Sequence, residues 1–367
     1  MKNFIKVLAL TIAATTLLTA CGGKNKKETN TEGENMNKTN KVTIVNPHMY
    51  SAWPYIGLSN DKLVCIYTVA DQHLATKSGL YMKSSSDGVN WSDGVEIFKD
   101  KTGVKGITGV GYDNDGNMLL WYRSGSPAVA TTTFELFKID GDNITLVSKP
   151  DINVNGGHIG NIVRTPNNEL WAFYNTYGDF RSWGYVKSAD NGLTWEQVEV
   201  EKDIYKATCP AELECAFISD DKIIVLGRKD VADATVAMFQ IESSDNGKTW
   251  AKKYTNIFDA YGSSPSVIFD RETGKICLYY FARDFGDLRQ RIVNVEDVWE
   301  NPLNWSKPEV ITSESASGVD TGNVKTVLYK GNHICAYYAG TSTTTGIYVA
   351  SFRVSVSNTE GCFLFVF

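Results

Sequence analysis

Between residues 42 and 357 the hydrophobic positions come in short runs separated by polar turns, with no long stretch of helical period. The runs come in pairs. An apolar segment with glycine or small residues is followed, two to six residues later, by one rich in Tyr, Trp, Ile and Val. The pairs occupy 54–59 and 62–68, 107–112 and 117–123, 158–164 and 169–175, 211–218 and 222–228, 264–269 and 275–281, and 323–329 and 333–339. β-Branched and aromatic residues bounded by Gly, Asn and Asp predict β-strands joined by tight turns. Each pair is followed by two further short strands, so the chain reads as all-β.

The turns repeat as well. Ser188-Ala189-Asp190-Asn191-Gly192-Leu193-Thr194-Trp195 and Ser243-Ser244-Asp245-Asn246-Gly247-Lys248-Thr249-Trp250 are one motif, and Ser85-Ser86-Asp87-Gly88-Val89-Asn90-Trp91 is a version one residue shorter. Asn304-Trp305 ends a degenerate copy. The tryptophans are 104, 55 and 55 residues apart, so one copy is missing, and Asp140-Gly141-Asp142-Asn143 stands where it is due. Ser and Asp oxygens satisfy the turn N–H groups, Gly takes the positive φ, and Trp packs the turn on its sheet. A fixed period of this length signals repeat architecture. The arithmetic predicts a six-bladed β-propeller of four-stranded antiparallel blades over residues 42–357, with Val42–Val45 closing the ring against the last unit. The apolar tail, residues 358–367, is left unassigned.

Residues 1–20 read as an export signal: Lys2 and Lys6 precede an apolar run from Val7 to Leu18, too short to span a bilayer comfortably. The run ends in Leu18-Thr19-Ala20-Cys21, which resembles the bacterial lipobox and implies lipidation at Cys21. Residues 21–41 are polar and low in apolar content, a tether. The expected localisation is therefore outside the cytoplasm, lipid-anchored at the cell envelope, with the membrane as a partner only through that anchor. The net charge of −6 gives no basic bias toward nucleic acid. Cys65, Cys277 and Cys335 recur in matching strand contexts and read as small core residues. Cys209 and Cys215, about 20 Å apart on one strand, are too distant to bridge. No spacing suggests a metal or a cofactor, and a monomer is expected.

The Ser-x-Asp-x-Gly-x-Thr-Trp turn resembles the Asp-box, or BNR repeat, of sialidases and related propellers, where it is structural. The resemblance covers nearly all of residues 42–357. It implies a site at the opposite edge, where first strands begin and second strands end. That edge collects Trp53, Thr108, His158, Glu212, Ser264 and Asp320 with Asp71, Arg123, Tyr174, Arg228, Arg283 and Tyr338. Sialidases grip the sugar carboxylate with three Arg, use a Tyr–Glu nucleophile pair and an Asp acid/base. By this resemblance Gly157-His158-Ile159-Gly160 is similar to their Gly-His-Gly-Ile segment. Glu212, sixteen residues before Arg228, matches the catalytic Glu and second Arg, and Arg289 matches the third. Ala52-Trp53-Pro54 replaces the first Arg, Asp320-Thr321-Gly322 stands in place of the nucleophilic Tyr, and the nearest carboxylate for the acid/base role is Asp71.

Three functions follow. The first is a divergent sialidase-like exo-glycosidase on an extracellular, anionic glycan. Its catalytic candidates are Glu212, Asp320, Asp71 and His158, and its substrate-binding candidates are Arg228, Arg289, Arg123, Arg283 and Trp53. The second is a non-catalytic glycan-binding lipoprotein, and the third a structural or protein-binding propeller. Ordinary sialidase activity is expected to be weak or absent, since Ala52 and Thr321 occupy key positions. Two carboxylates facing one another across the edge favour the enzyme, and Arg and aromatics alone favour binding.

Overall fold

A computed structural model describes residues 39–73, 78–98, 105–125, 132–154, 156–231, 233, 235–314 and 321–354. In chain order the strands are β1 (Asn40–Ser59), β2 (Lys62–Ala70), β3 (Ser78–Ser85), β4 (Val95–Phe98), β5 (Lys105–Tyr112), β6 (Met118–Ser124), β7 (Thr133–Asp140) and β8 (Asn143–Ser148). They continue with β9 (His158–Arg164), β10 (Leu170–Asn175), β11 (Phe180–Ser188), β12 (Glu196–Tyr205), β13 (Ala211–Phe217), β14 (Ile223–Arg228), β15 (Phe239–Ser243) and β16 (Ala251–Tyr254). The last are β17 (Ser266–Asp270), β18 (Lys275–Ala282), β19 (Asp287–Asn294), β20 (Glu309–Ser313), β21 (Gly322–Tyr329), β22 (Asn332–Gly340) and β23 (Thr345–Phe352). Among the described residues a short helix, α1 (Val295–Glu300), followed by a 3₁₀ turn at Pro302–Asn304, interrupts them.

Every strand pairing is antiparallel, and within the four-stranded sheets each strand pairs with its neighbour in the chain. β5–β8, β9–β12, β13–β16 and β17–β20 are four separate four-stranded sheets. The expected six separate four-stranded blades are not what forms. The remaining seven strands make one sheet in the order β21-β22-β23-β1-β2-β3-β4. The cause is the length of β1, twenty residues. Its first part pairs with β23 (Val42 opposite Val349) and its second with β2 (Ile56 opposite Cys65), so one strand serves two units. Val42–Val45 thus joins the first unit to the last.

The sheets are arranged as a propeller. Their first strands touch in turn round a closed ring, β1, β5, β9, β13, β17, β21 and back to β1. Close approach demands glycine there: a Cβ on Gly109 would lie 2.0 Å from the Gly160 carbonyl oxygen, and one on Gly160 2.2 Å from that of Leu213. Apolar faces between adjacent sheets form the cores, such as Trp121, Leu136, Ile159, Ala172 and Tyr174 between the second and third units. Cys65, Cys209, Cys215, Cys277 and Cys335 are buried free thiols.

The outer turns are built as the motif requires. In the turn before β12, Ser188 Oγ accepts from the Gly192 N–H and the Asp190 carboxylate accepts from the Thr194 N–H, both at 2.8 Å. Trp195 Nε1 donates to Gly192 O at 3.0 Å, and its ring packs on Trp121 of the preceding sheet. The weakest copy, Asp140–Asn143, is a tight turn in which Asp140 accepts from Asn60.

An ion pair crosses the inside of the ring. Lys325 on β21 is bonded to Glu214 on β13, strands that do not adjoin, and both side chains are buried. Asn161 of β9 also bonds Glu214 and accepts from the Val110 N–H of β5 at 3.0 Å. The Lys325 ammonium lies 5.2 Å from the Tyr55 ring of β1, whose hydroxyl donates to Thr108 O at 2.7 Å. Burial pushes the Glu214 carboxyl above its usual range against the opposing pull of Lys325 and Asn161. Removing one partner of such a pair leaves a buried charge uncompensated. Lys325→Ala is expected to lower unfolding free energy by about 3–5 kcal/mol in urea titrations. The double substitution Lys325→Met with Glu214→Leu should lie much closer to wild type.

Candidate functional site

The inner strands are irregular in one place. Opposite single residues of their partners, β1 carries Trp53 and Pro54, β9 Gly160 and Asn161, β13 Glu212 and Leu213, and β21 Asn323 and Val324. β5 is interrupted at Thr108. An extra residue bends a strand and re-aims its side chains. Trp53, Glu212 and Asn323 take φ values of 52°, 47° and 48°. That left-handed conformation costs a residue with a Cβ about 1–2 kcal/mol and recurs at functional sites. Glu212 is held in it by its backbone N–H, which donates to the buried Asn175 Oδ1 at 2.7 Å.

The Glu212 carboxylate is the centre of the cluster. Oε1 accepts from the Tyr177 hydroxyl at 3.1 Å. Oε2 meets Arg228 Nη1 at 3.0 Å and accepts from the Ser264 hydroxyl, which also reaches Asn323. Arg228 holds Asp230 at 2.9 Å and donates to Gly262 O at 2.8 Å. Asp230 in turn binds Arg181 at 2.7 Å, and the Arg181 guanidinium lies over the Tyr177 ring. Burial favours the neutral acid of Glu212, but Arg228, then His158, the Ser264 hydrogen bond and Lys325 win and hold its pKa at about 2. Burial raises the Tyr177 phenol, with Glu212 acting in the same direction and Arg228 against it. The site at rest therefore contains a carboxylate facing a neutral phenol.

His158 lies beside this pair. Its Nε2 is 3.4 Å from the Tyr55 hydroxyl, and Nδ1 is buried without a hydrogen-bond partner. Burial lowers its pKa to about 3 despite Glu212, with Lys325, Arg123 and Arg228 acting the same way as burial. It is neutral at ordinary pH. Among the described residues Arg123 bonds a carbonyl alone, Gly157 O at 3.0 Å. Arg283 lies against Gly262 and Gly322, with its Nε buried and unbonded. Among the described residues neither arginine has a carboxylate partner, so both remain able to take an anion.

The other sequence candidates lie elsewhere or are occupied. Arg289 is held by Asp259 at 2.6 Å and Asp287 at 2.8 Å, with Phe285 against its face. Trp53 packs on Tyr50 and His73 rather than on the arginines. Asp71 is exposed just past β2, and no hydrogen bond or ion pair joins it to the cluster. Asp320 and Cys21 lie outside the described residues. Tyr174 is buried in the core, and Tyr177, three residues further, is the tyrosine at Glu212. The sialidase pattern places this tyrosine at the start of the last unit, where Asp320-Thr321-Gly322 stands, but here it comes from the third unit. The signal lay in Asn175-Thr176-Tyr177-Gly178, the turn after β10.

No protein-family model and no curated protein sequence matches the chain. Solved structures do. A protein of unknown function from Dyadobacter fermentans DSM 18053 superimposes with a TM-score of 0.72 at 15% identity, covering 88% of this chain and all of that one. The Trypanosoma rangeli sialidase in complex with 2,3-difluorosialic acid gives 0.63 at 12%, covering 86% of this chain and 59% of the enzyme. The NanB sialidase of Streptococcus pneumoniae gives 0.63 at 12%, covering 83% and 68%. At these identities the likeness is one of fold: the chain is a propeller resembling those of sialidases.

The depressed His158 pKa makes stability depend on pH. In the unfolded chain the imidazole titrates near 6.5, in the fold near about 3. Its neutral state stabilises the fold fully above about 6.5. That contribution is lost as pH falls toward about 3, by up to about 1.4 kcal/mol per pH unit. Glu212 adds a second loss between its ordinary 4.5 and about 2. Urea midpoints measured from pH 8 to 4 should fall on acidification, and His158→Gln should flatten that slope.

Proposed function

We propose that the protein is a sialidase-like glycosidase acting on an anionic glycan outside the cytoplasm, with Tyr177 as nucleophile and Glu212 as its proton acceptor. One observation carries this: the 3.1 Å hydrogen bond from Tyr177 to Glu212 inside an arginine-lined mouth. In this reading the Tyr177 oxygen attacks the anomeric carbon while its proton passes to Glu212, and the bond to the leaving oxygen breaks. A carboxylic acid protonates the leaving alcohol; Asp71 and Asp320 are the candidates. Water then attacks the tyrosyl glycoside and gives its proton to the carboxylate that served as acid, while Glu212 returns its proton to the departing Tyr177 oxygen. Arg123 and Arg283, with Arg228 between its two carboxylates, take the anionic group of the sugar. Ala52 stands where sialidases carry their first Arg, so the favoured substrate is an acidic sugar other than sialic acid.

In this reading the seven-stranded sheet is two units sharing β1, so the propeller is proposed to have six units. Lipidation at Cys21 would hold the propeller at the cell envelope. Cys21→Ala should then leave the leader uncleaved and the protein unlipidated, by mass spectrometry of membrane fractions.

One observation favours a binding protein instead. Glu212 and Asp230 are both held by Arg228, so neither described carboxylate of the cluster is free to donate a proton. The two readings separate on a panel of fluorogenic hexuronides and sialosides. Hydrolysis of an acidic glycoside, reduced about 10²–10⁴-fold in Tyr177→Phe and Glu212→Gln, is the expected result. Full activity in Tyr177→Phe would sink the nucleophile. Binding of acidic glycans without any turnover would leave the binding reading.

A further inference from the structure

The turn between β15 and β16 departs from its siblings. Trp91 and Trp195 each return their indole N–H to the turn, at Gly88 O and Gly192 O, 3.3 and 3.0 Å away. Trp250 does not. The equivalent carbonyl, Gly247 O, accepts from the Tyr185 hydroxyl of the neighbouring sheet at 3.4 Å, and Trp250 Nε1 has no partner. The change coincides with a cavity of about 300 Å³, lined by Trp183, Glu199, Glu201, Lys248, Trp250 and Lys252, between the third and fourth units.

The lining is chemically uneven. One oxygen of Glu201, Oε2, is engaged, accepting from Trp183 Nε1 and Lys252 Nζ, both at 2.6 Å, while its Oε1 has no partner among the described residues. Glu199 is exposed, and its carboxylate has neither a hydrogen bond nor an ion pair among the described residues. The Lys248 ammonium is likewise without a partner there; only its backbone N–H is used, toward Asp245. Two carboxylates and two ammonium groups leave the cavity without net charge. It offers an indole wall, free acceptor oxygens on Glu199 and on Glu201 Oε1, and one free donor, at the small end of ligand-pocket volumes.

We propose that this cleft binds a single neutral pyranose residue. The sugar's C–H face packs on the Trp250 indole, vicinal hydroxyls bond the Glu199 carboxylate, and Lys248 supplies a donor. A charged sugar gains nothing from a lining whose charges cancel. The cleft is formed in part by the Gly247–Trp250 turn, so it is distinct from the arginine mouth and does not depend on what that mouth does. A protein with both can hold a glycan at two points, one acidic and one neutral.

The test uses the whole chain with methyl β-glucopyranoside, methyl β-galactopyranoside and methyl N-acetyl-β-glucosaminide, with methyl β-glucuronide as the charged comparison. Saturation-transfer NMR and tryptophan fluorescence report binding. At least one neutral glycoside should bind with a millimolar Kd. Glu199→Ala, an exposed change that leaves the core alone, should weaken it at least tenfold, as should Trp250→Phe. Arg228→Ala should leave it unchanged. Absence of binding by all three neutral glycosides overturns the proposal. So does binding that survives Glu199→Ala but is lost in Arg228→Ala, because the sugar then sits in the mouth, whatever chemistry the mouth performs. Tighter binding of the glucuronide than of every neutral glycoside in Arg228→Ala overturns it as well.

Discussion

The Lys325–Glu214 pair governs the interior of this propeller. Four-stranded sheets packed round an axis leave their first strands facing one another, and backbone contact through Gly109 and Gly160 fixes only neighbours. The ion pair reaches further, from β13 to β21, while Asn161 links it to β9 and the Tyr55 ring covers it from β1. Burying two opposite charges gains little net stability compared with apolar groups of the same volume. Its effect is directional: hydrogen bonds fix which strands face each other, where a greasy plug would tolerate rotation or slip. The side of the pair toward Glu212 is thereby given a floor.

On that floor the site is set by local backbone irregularity rather than by ordinary strand alternation. Glu212 and Glu214 would share a face in a regular strand. The bulge at Glu212–Leu213 breaks that relation, so one carboxylate meets Lys325 and the other meets Tyr177, Arg228 and Ser264. The strain of a left-handed glutamate persists because Asn175, a residue of the neighbouring sheet, bonds its N–H. The position of Glu212 is therefore a property of two sheets together.

The strands and turns were legible because each rule that makes them is local. Alternation, the Ser-x-Asp-Asn-Gly turn and the recurring Trp all act within a few residues, and the weak copy at Asp140–Asn143 was placed by its distance from the others. The partnership of Glu212 with Arg228 was also legible, since sixteen residues across a tight hairpin return the chain to its starting level. What escaped depends on contacts between distant segments. Arg289 reads as a ligand-binding cation until Asp259, thirty residues earlier, is seen to occupy it. Tyr177 is hidden because nothing in its own turn shows that the next sheet brings Glu212 to its hydroxyl. The seven-stranded sheet was half visible: Val42–Val45 was expected to close the ring, but its continuity with the first unit's own inner strand erases the boundary that a repeat count assumes.

That shared strand has a kinetic side. Ser51 and Thr345 bond each other across 294 residues, and Val42 pairs with Val349. The other sheets are made of strands adjacent in the chain and can form as hairpins while synthesis is still under way. The first half of β1 has no partner until β23 arrives. Such non-local pairing is slow, because the loop must close before any contact rewards it. Pairing of β1 with β23 is therefore expected late in folding, and until it occurs both strands expose unpaired backbone, the surface most prone to pair with another molecule. A chain of this design is safest if the interval between emergence of β1 and of β23 is short, or if a chaperone covers that edge in the meantime.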